Sequence, residues 1–292
     1  MRNHALLIAT AVIVLACDHR EDRGVPAKTT TAAIASATVS TSHQGGYVVL
    51  PSFEPTALNP ILRTTADIAT PLIFEGLVGL DVRHEPSPRL ATAWERSPDG
   101  RELTFHLRKD VKWHDDRPFT AADVLFTIEQ VRTAKVLTAW RGYFAAVESV
   151  TAPDQHTVKV VYRQPYGPAL AAWTIGIVPR HAFVDQDFRT SELNRAPIGT
   201  GPFRFVRWVQ ARSITLEANP TYWMGRPKLD RVEVTFLPLD QQLRALRDGK
   251  LDFAQITQPD DWGGEVQTPE FRSAYETAAV AASSFSVLAW NC

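Results

Sequence analysis

Apolar residues along the 292-residue chain keep changing period, and each change marks a predicted element. Leu103-Thr-Phe-His-Leu107 and His156-Thr-Val-Lys-Val-Val-Tyr162 alternate apolar with polar, the period-2 signature of half-buried strands. Tyr47–Leu50, Val232–Leu237, Leu251–Ala254 and Phe285–Trp290 read as further strands, and Phe203–Val209 with Ser213–Ala218 as an antiparallel pair. Helical spacing places Ile68, Leu72, Ile73 and Leu77 on one side of a helix over residues 65–77, with Pro71 either kinking it or marking its true start. Thr120 is positioned to cap a second helix, with Asp123 as its capping-box partner and Val124, Leu125, Ile128 and Val131 on the buried side. A third begins at a capping Asp240, carries Leu243 and Leu246, and ends where Gly249 can take a left-handed conformation. Ser97-Pro98-Asp99-Gly100 and Trp113–Pro118 are predicted turns. The total is a mixed α/β chain with strands and helices interspersed.

The first residues break this pattern. Ala5–Ala16 is an unbroken apolar run of twelve residues, about 18 Å as a helix and too short for the ~30 Å membrane core. It reads as the apolar region of a signal peptide, residues 1–16. The run ends in Val14-Leu15-Ala16-Cys17 and turns abruptly polar, which resembles the bacterial lipobox. Cys17 is then the expected lipid attachment point. Residues 24–44 are dominated by small and hydroxyl residues and complete a flexible tether over 17–44, long enough to let a folded body float some 25–30 Å from the anchor.

Composition removes several function classes. The net charge of −1 comes without a basic stripe, so nucleic acid is not an expected partner. The only cysteines are Cys17 and Cys292. A lipid on Cys17 would leave no disulfide and no cysteine-based metal site. Trp113-His114-Asp115-Asp116 suggests metal ligands, but no His or Asp recurs nearby at ligand spacing. The expectation is two aspartates capping a turn, His114 at the surface and no metal. Phe105 and Trp113 are expected in the core. No G-x-S-x-G, P-loop or H-E-x-x-H pattern occurs, so no enzyme and no cofactor are expected.

Several blocks in order resemble the family 5 extracellular solute-binding proteins, the dipeptide, oligopeptide and nickel binders of bacterial ABC importers. They are Leu58-Asn59-Pro60, Phe74-Glu75-Gly76-Leu77, Pro88–Glu95, Thr104–Asp115 with Pro118–Val124, Pro197–Phe203 and Asn219–Trp223. The resemblance implies a periplasmic-binding-protein type II-like lobe (residues 45–82 and 196–292) with an inserted α+β domain over 83–195. The chain stops where the family crosses into its second lobe, so the expectation is a C-terminally truncated form with that lobe missing. The implied function is the substrate-binding component of an ABC transporter, capturing short peptides or peptide-like solutes in the periplasm or at the cell surface. Its implied partners are the permease subunits in the cytoplasmic membrane. Binders of nickel chelates, opines or oligosaccharides remain alternatives, as does a non-transporting surface lipoprotein. By the same resemblance the ligand contacts are Thr64, Thr65 and Ala66 through their main chain, Trp140 and Tyr143 through their rings, and the Gly199-Thr200-Gly201 loop. Packing alone is the competing role for Trp140 and Tyr143, a structural turn is the competing role for the glycine loop, and Trp223 is expected to pack.

Overall fold

The computed structural model describes residues 11–16, 45–62, 67–81, 83–133, 135–256 and 264–280. The chain divides into two compact units. The larger holds Gly45–Val48 and Ser52–Phe236, and the smaller holds Val49–Pro51, the chain from Leu237 onward and the N-terminal residues.

Two four-stranded sheets lie mainly in the larger unit. One joins β5 (Ala91–Arg96), β6 (Glu102–Leu107), β7 (Val147–Asp154) and β8 (Thr157–Tyr162) in the order β5-β6-β8-β7. The alternation seen in the sequence is its core side: Leu103, Phe105 and Leu107 of β6 and Val158, Val160 and Tyr162 of β8 are buried. Helix α2 (Ala121–Arg132) packs against β7 and β8. Its start is fixed as expected, with the Thr120 amide donating to Asp123 Oδ2 at 2.9 Å. Asp123 does more than cap, because it also receives the Arg180 amide at 2.9 Å and the Trp113 indole N–H at 3.4 Å. Burial pushes its carboxyl pKa up, and these three donors oppose that shift. Trp113 and Phe105 are both fully buried, in agreement with the sequence.

The second sheet has the order β2 (Tyr47–Ser52), β11 (Arg231–Phe236), β10 (Ser213–Ala218), β9 (Phe203–Val209). The expected hairpin is present, with Ser213 opposite Val209 and Ile214 opposite Trp208. Its turn is held by Glu54, whose Oε1 accepts from the Trp208 indole at 2.9 Å and from the Ala211 amide at 3.1 Å. A short ladder of β3 (Val78–Leu80) and β4 (Pro86–Pro88) completes this unit's strands among the described residues.

The helix expected over 65–77 is a single turn, α1 (Thr70–Ile73), with Pro71 at its start. Asp67 stops it from extending backward, since its carboxylate takes the Thr70 amide at 2.6 Å and the Thr70 hydroxyl at 2.9 Å. Residues α3 (Ala169–Ala172) and α4 (Arg180–Phe183) add two more single turns.

In the smaller unit, α5 (Leu239–Arg247) precedes β12 (Phe253–Ile256), and α6 (Pro269–Ala274) precedes β13 (Tyr275–Val280). The cap of α5 is Pro238, so Asp240 sits in the first turn, where its charge favours the helix dipole, instead of capping it. Gly249 has φ of 67°, the left-handed position expected of it. The strand expected at 251–254 is displaced to Phe253–Ile256, because Asp252 is bonded to Val49 in both directions, at 2.7 and 3.0 Å. Leu246, Leu251, Ala254, Ile256, Val266 and Phe271 form the core. Strand β1 (Ala11–Ala16) lies between β12 and β13, antiparallel to both. The strand expected at Phe285–Trp290 lies outside the described residues.

Candidate functional site

An aromatic pair stands on the turn Ala139–Gly142 and the residue after it. The Thr138 hydroxyl accepts the Trp140 amide at 3.2 Å and opens the turn, and Arg141 Nη2 binds the Thr133 carbonyl at 2.7 Å. Trp140 donates its indole N–H to the Pro60 carbonyl at 3.0 Å. That bond fixes the ring's orientation and spends its one polar atom, leaving the π-face as its remaining chemistry. Tyr143 lies 5.5 Å from it, centroid to centroid, with the planes tilted by 49°. Trp140 is half-buried and Tyr143 is 46% exposed, so the pair offers a wet aromatic surface above an apolar floor. Beneath Trp140 is a small cavity of about 70 Å³ bounded by Pro60, Pro71, Phe74, Thr174 and Gly176. Gly176 is required there, since a Cβ would come within 2.8 Å of Phe74 Cβ and 2.9 Å of Pro60 Cβ.

The glycine loop has a different setting. Gly201 donates its amide to the Ile73 carbonyl at 2.8 Å, and a Cβ on Gly199 would sit 1.9 Å from that same oxygen. Thr200 is buried and its hydroxyl lies 3.4 Å from Glu75 Oε2. Glu75 gathers Tyr222 (Oη to Oε1, 2.7 Å) and Trp223 (Nε1 to Oε2, 2.9 Å) as well. Burial raises its pKa, while the Trp223, Tyr222 and Thr200 donors and the Arg89 charge pull the other way. Burial and the neighbouring carboxylate push the Tyr222 phenol pKa up. Trp223, expected only to pack, therefore also donates to this carboxylate, and the Arg108 guanidinium stacks 3.8 Å above its ring.

His114 corrects a second expectation. It is not a loose surface residue: its Nδ1 accepts the Gly199 amide at 3.2 Å, and its Nε2 lies 3.0 Å from the Gly201 carbonyl. The neutral Nε2–H tautomer satisfies both contacts. Burial lowers the imidazole pKa to about 4, aided by the nearby Arg204 charge. Its neighbour Asp115 pairs instead with His181, Nε2 to Oδ2 at 2.7 Å. Among the described residues no three His, Cys, Asp or Glu side chains converge to hold a metal ion, and no helix is long and apolar enough to cross a membrane.

The structure thus brings Trp140 and Tyr143 together beside the Pro60 loop, and sets Gly199, Thr200 and Gly201 against α1 and Glu75. Phe74 links the two groups, lining the space under Trp140 while its neighbour Glu75 holds Thr200. Thr64, Thr65, Ala66 and Cys17 lie outside the described residues. Thr174 and Gly176 were not anticipated, because nothing in the local pattern sets them apart from any turn.

Residues 85–292 match the family model of bacterial extracellular solute-binding proteins, family 5. Protein XP55 of Streptomyces lividans is 33% identical over 81% of this chain and 46% of its own length. A putative ABC transporter peptide-binding protein of Brucella ovis is 33% identical over 78% of this chain and 44% of its own. Among solved structures, the periplasmic binding protein DppA from Helicobacter pylori, in complex with the peptide STSA, aligns with a TM-score of 0.65. It is 31% identical and covers 71% of this chain and 46% of that one. The chain therefore spans about half the length of the relatives it matches. The match of most of its residues to the family model, with these relatives at one third identity, settles its membership: the chain belongs to the bacterial extracellular solute-binding proteins, family 5.

Proposed function

We propose that the protein captures short peptides, or peptide-like solutes, outside the cytoplasmic membrane and delivers them to an ABC permease, with no chemical step. The observation that carries this reading is the pinned aromatic pair. Trp140 is locked by the Pro60 carbonyl, Tyr143 is exposed beside it, and the small apolar cavity below suits a ligand side chain. Supporting it, the similar proteins from Brucella ovis and Helicobacter pylori are named for peptide binding and solved with a peptide, respectively. In this reading Thr64–Ala66 add main-chain hydrogen bonds to an extended ligand, as in strand addition. The body is organised as residues 45–82 and 196–292 with 83–195 inserted. Cys17 carries lipid after removal of residues 1–16, a cleavage that takes strand β1 (Ala11–Ala16) with it, and 17–44 are the tether to the membrane.

The test is a thermal-melt screen of the chain against pools of di- to pentapeptides, with nickel chelates, opines and oligosaccharides as competing classes. A peptide at 100 times its dissociation constant adds about 2.7 kcal/mol to stability. Trp140→Ala should remove that shift and also lower the unliganded melt, whereas Tyr143→Ala, at the exposed ring, should shrink the shift with the unliganded melt close to wild type. A cooperative melt that no peptide pool moves would sink the proposal.

A further inference from the structure

A second cavity, of about 420 Å³, shares Pro71, Phe74 and Thr174 with the space under Trp140 and is otherwise lined by different residues. That volume falls within the range of small-molecule sites. Its apolar wall is Phe74, Val78, Leu80 and Pro202. Leu80 is 46% exposed at its rim, open to a ligand entering from solvent.

The polar groups of this cavity are asymmetric. Glu75 faces it, but its oxygens already accept from Tyr222, Trp223 and Thr200. Arg108 is not part of the lining: its Nε is spent on the Arg89 carbonyl at 2.8 Å and its plane on Trp223. Arg89 is the remaining charge. Its guanidinium makes one hydrogen bond among the described residues, from Nη1 to the thioether of Met224 at 3.5 Å. A thioether is a weak acceptor, so a five-donor fork stands over an apolar cavity almost unused. The carboxylate of Glu75 is within electrostatic reach but outside ion-pair distance.

We propose that this cavity binds a small amphiphilic monocarboxylate, its chain against Phe74, Val78 and Leu80 and its carboxylate on the Arg89 fork. A planar two-oxygen anion matches the guanidinium bidentately. A dianion such as a phosphate ester is disfavoured by the nearby Glu75 charge. An amine is disfavoured by the Arg89 charge on the same wall, and three of the four lone-pair sites of Glu75 are already engaged. The site does not depend on the transport reading.

The experiment titrates the full chain with three probes of one chain length, hexanoate, hexanol and hexylamine, followed by calorimetry or ligand-observed NMR. Hexanoate should bind about tenfold more tightly than hexanol, the 1.4 kcal/mol that one charge-assisted bidentate contact can supply. Arg89→Gln, at a side chain outside any ion pair, should fold normally and erase the difference between the two. Leu80→Gln should weaken both probes together. Binding of hexylamine as tight as hexanoate, an unchanged preference in Arg89→Gln, or no binding of any probe at millimolar concentration would each overturn the proposal.

Discussion

His114 makes two contacts that only its neutral form satisfies, accepting at Nδ1 from Gly199 and donating at Nε2 to Gly201. The folded pKa of about 4 lies below the unfolded value of 6.5. Between those values the unfolded chain binds a proton that the folded chain refuses, so stability must fall as the pH drops from about 6.5 toward 4. The gap corresponds to about 3 kcal/mol at most, at 1.36 kcal/mol per pH unit. Glu75 acts in the opposite sense: its raised pKa makes the fold lose stability as pH rises through the carboxylate range. Urea unfolding at pH 7 and pH 4.5 separates the two. The wild type should lose stability between them, and His114→Gln, which keeps a donor and an acceptor without titrating, should lose markedly less. Equal losses in both proteins would show that His114 does not carry the effect. The sequence alone hid this role, because the partners of His114 are backbone groups 85 and 87 residues away.

In the sheet of β5 to β8 the central strands follow the sequence pattern and the edge strands escape it. Strands β6 and β8 lie in the middle of their sheet, and their alternation was legible residue by residue. Strands β5 and β7 flank them and were missed. Their burial is irregular, with only Ala91 buried in β5 and only Val147 in β7, so neither shows the period-2 pattern. Helix α1 fell short of the expected residues 65–77 because Asp67 takes the Thr70 amide and hydroxyl before the helix begins and Phe74 is already extended. The short α1 is nonetheless the element on which the glycine loop rests. Gly199→Ala forces a Cβ into the Ile73 carbonyl, 1.9 Å away in rigid geometry, and backbone on both sides must move. The expected loss is about 3 kcal/mol, the upper part of the overpacking range. Gly142→Ala meets nothing within 4 Å and is the control, expected to be neutral or slightly stabilising. If denaturant midpoints of the two variants coincide, the loop is looser than its packing implies.

Across the whole molecule, several strands, the β9–β10 hairpin and the capped start of α2 could be read from patterning, whereas the aromatic pair came from the family resemblance. The Glu75 cluster could not, because the partners that give it meaning lie 125, 147 and 148 residues along the chain. Long-range convergence of this kind leaves no local period to detect. The same distinction separates the two compact units. The larger holds most of two four-stranded sheets and an aromatic core around Trp173, with Phe105 tilted against it at 4.9 Å and Phe144 edge-on at 5.3 Å. The core of the smaller rests on six buried side chains, Leu246 at its heart and 1% exposed. Leu246→Ala should therefore cost about 2–5 kcal/mol, as buried Leu truncations do, and the loss should be local. Amide hydrogen exchange checks this directly. Protection should fall across Leu239–Arg247 and Phe253–Ile256 while amides of β6 and β8 keep theirs. If Leu103, Phe105, Val158 and Val160 exchange faster in step, the units unfold together and the division is geometric only. If they do not, the smaller unit is an independent cooperative block whose stability can be tuned without touching the aromatic pair or the Arg89 cavity.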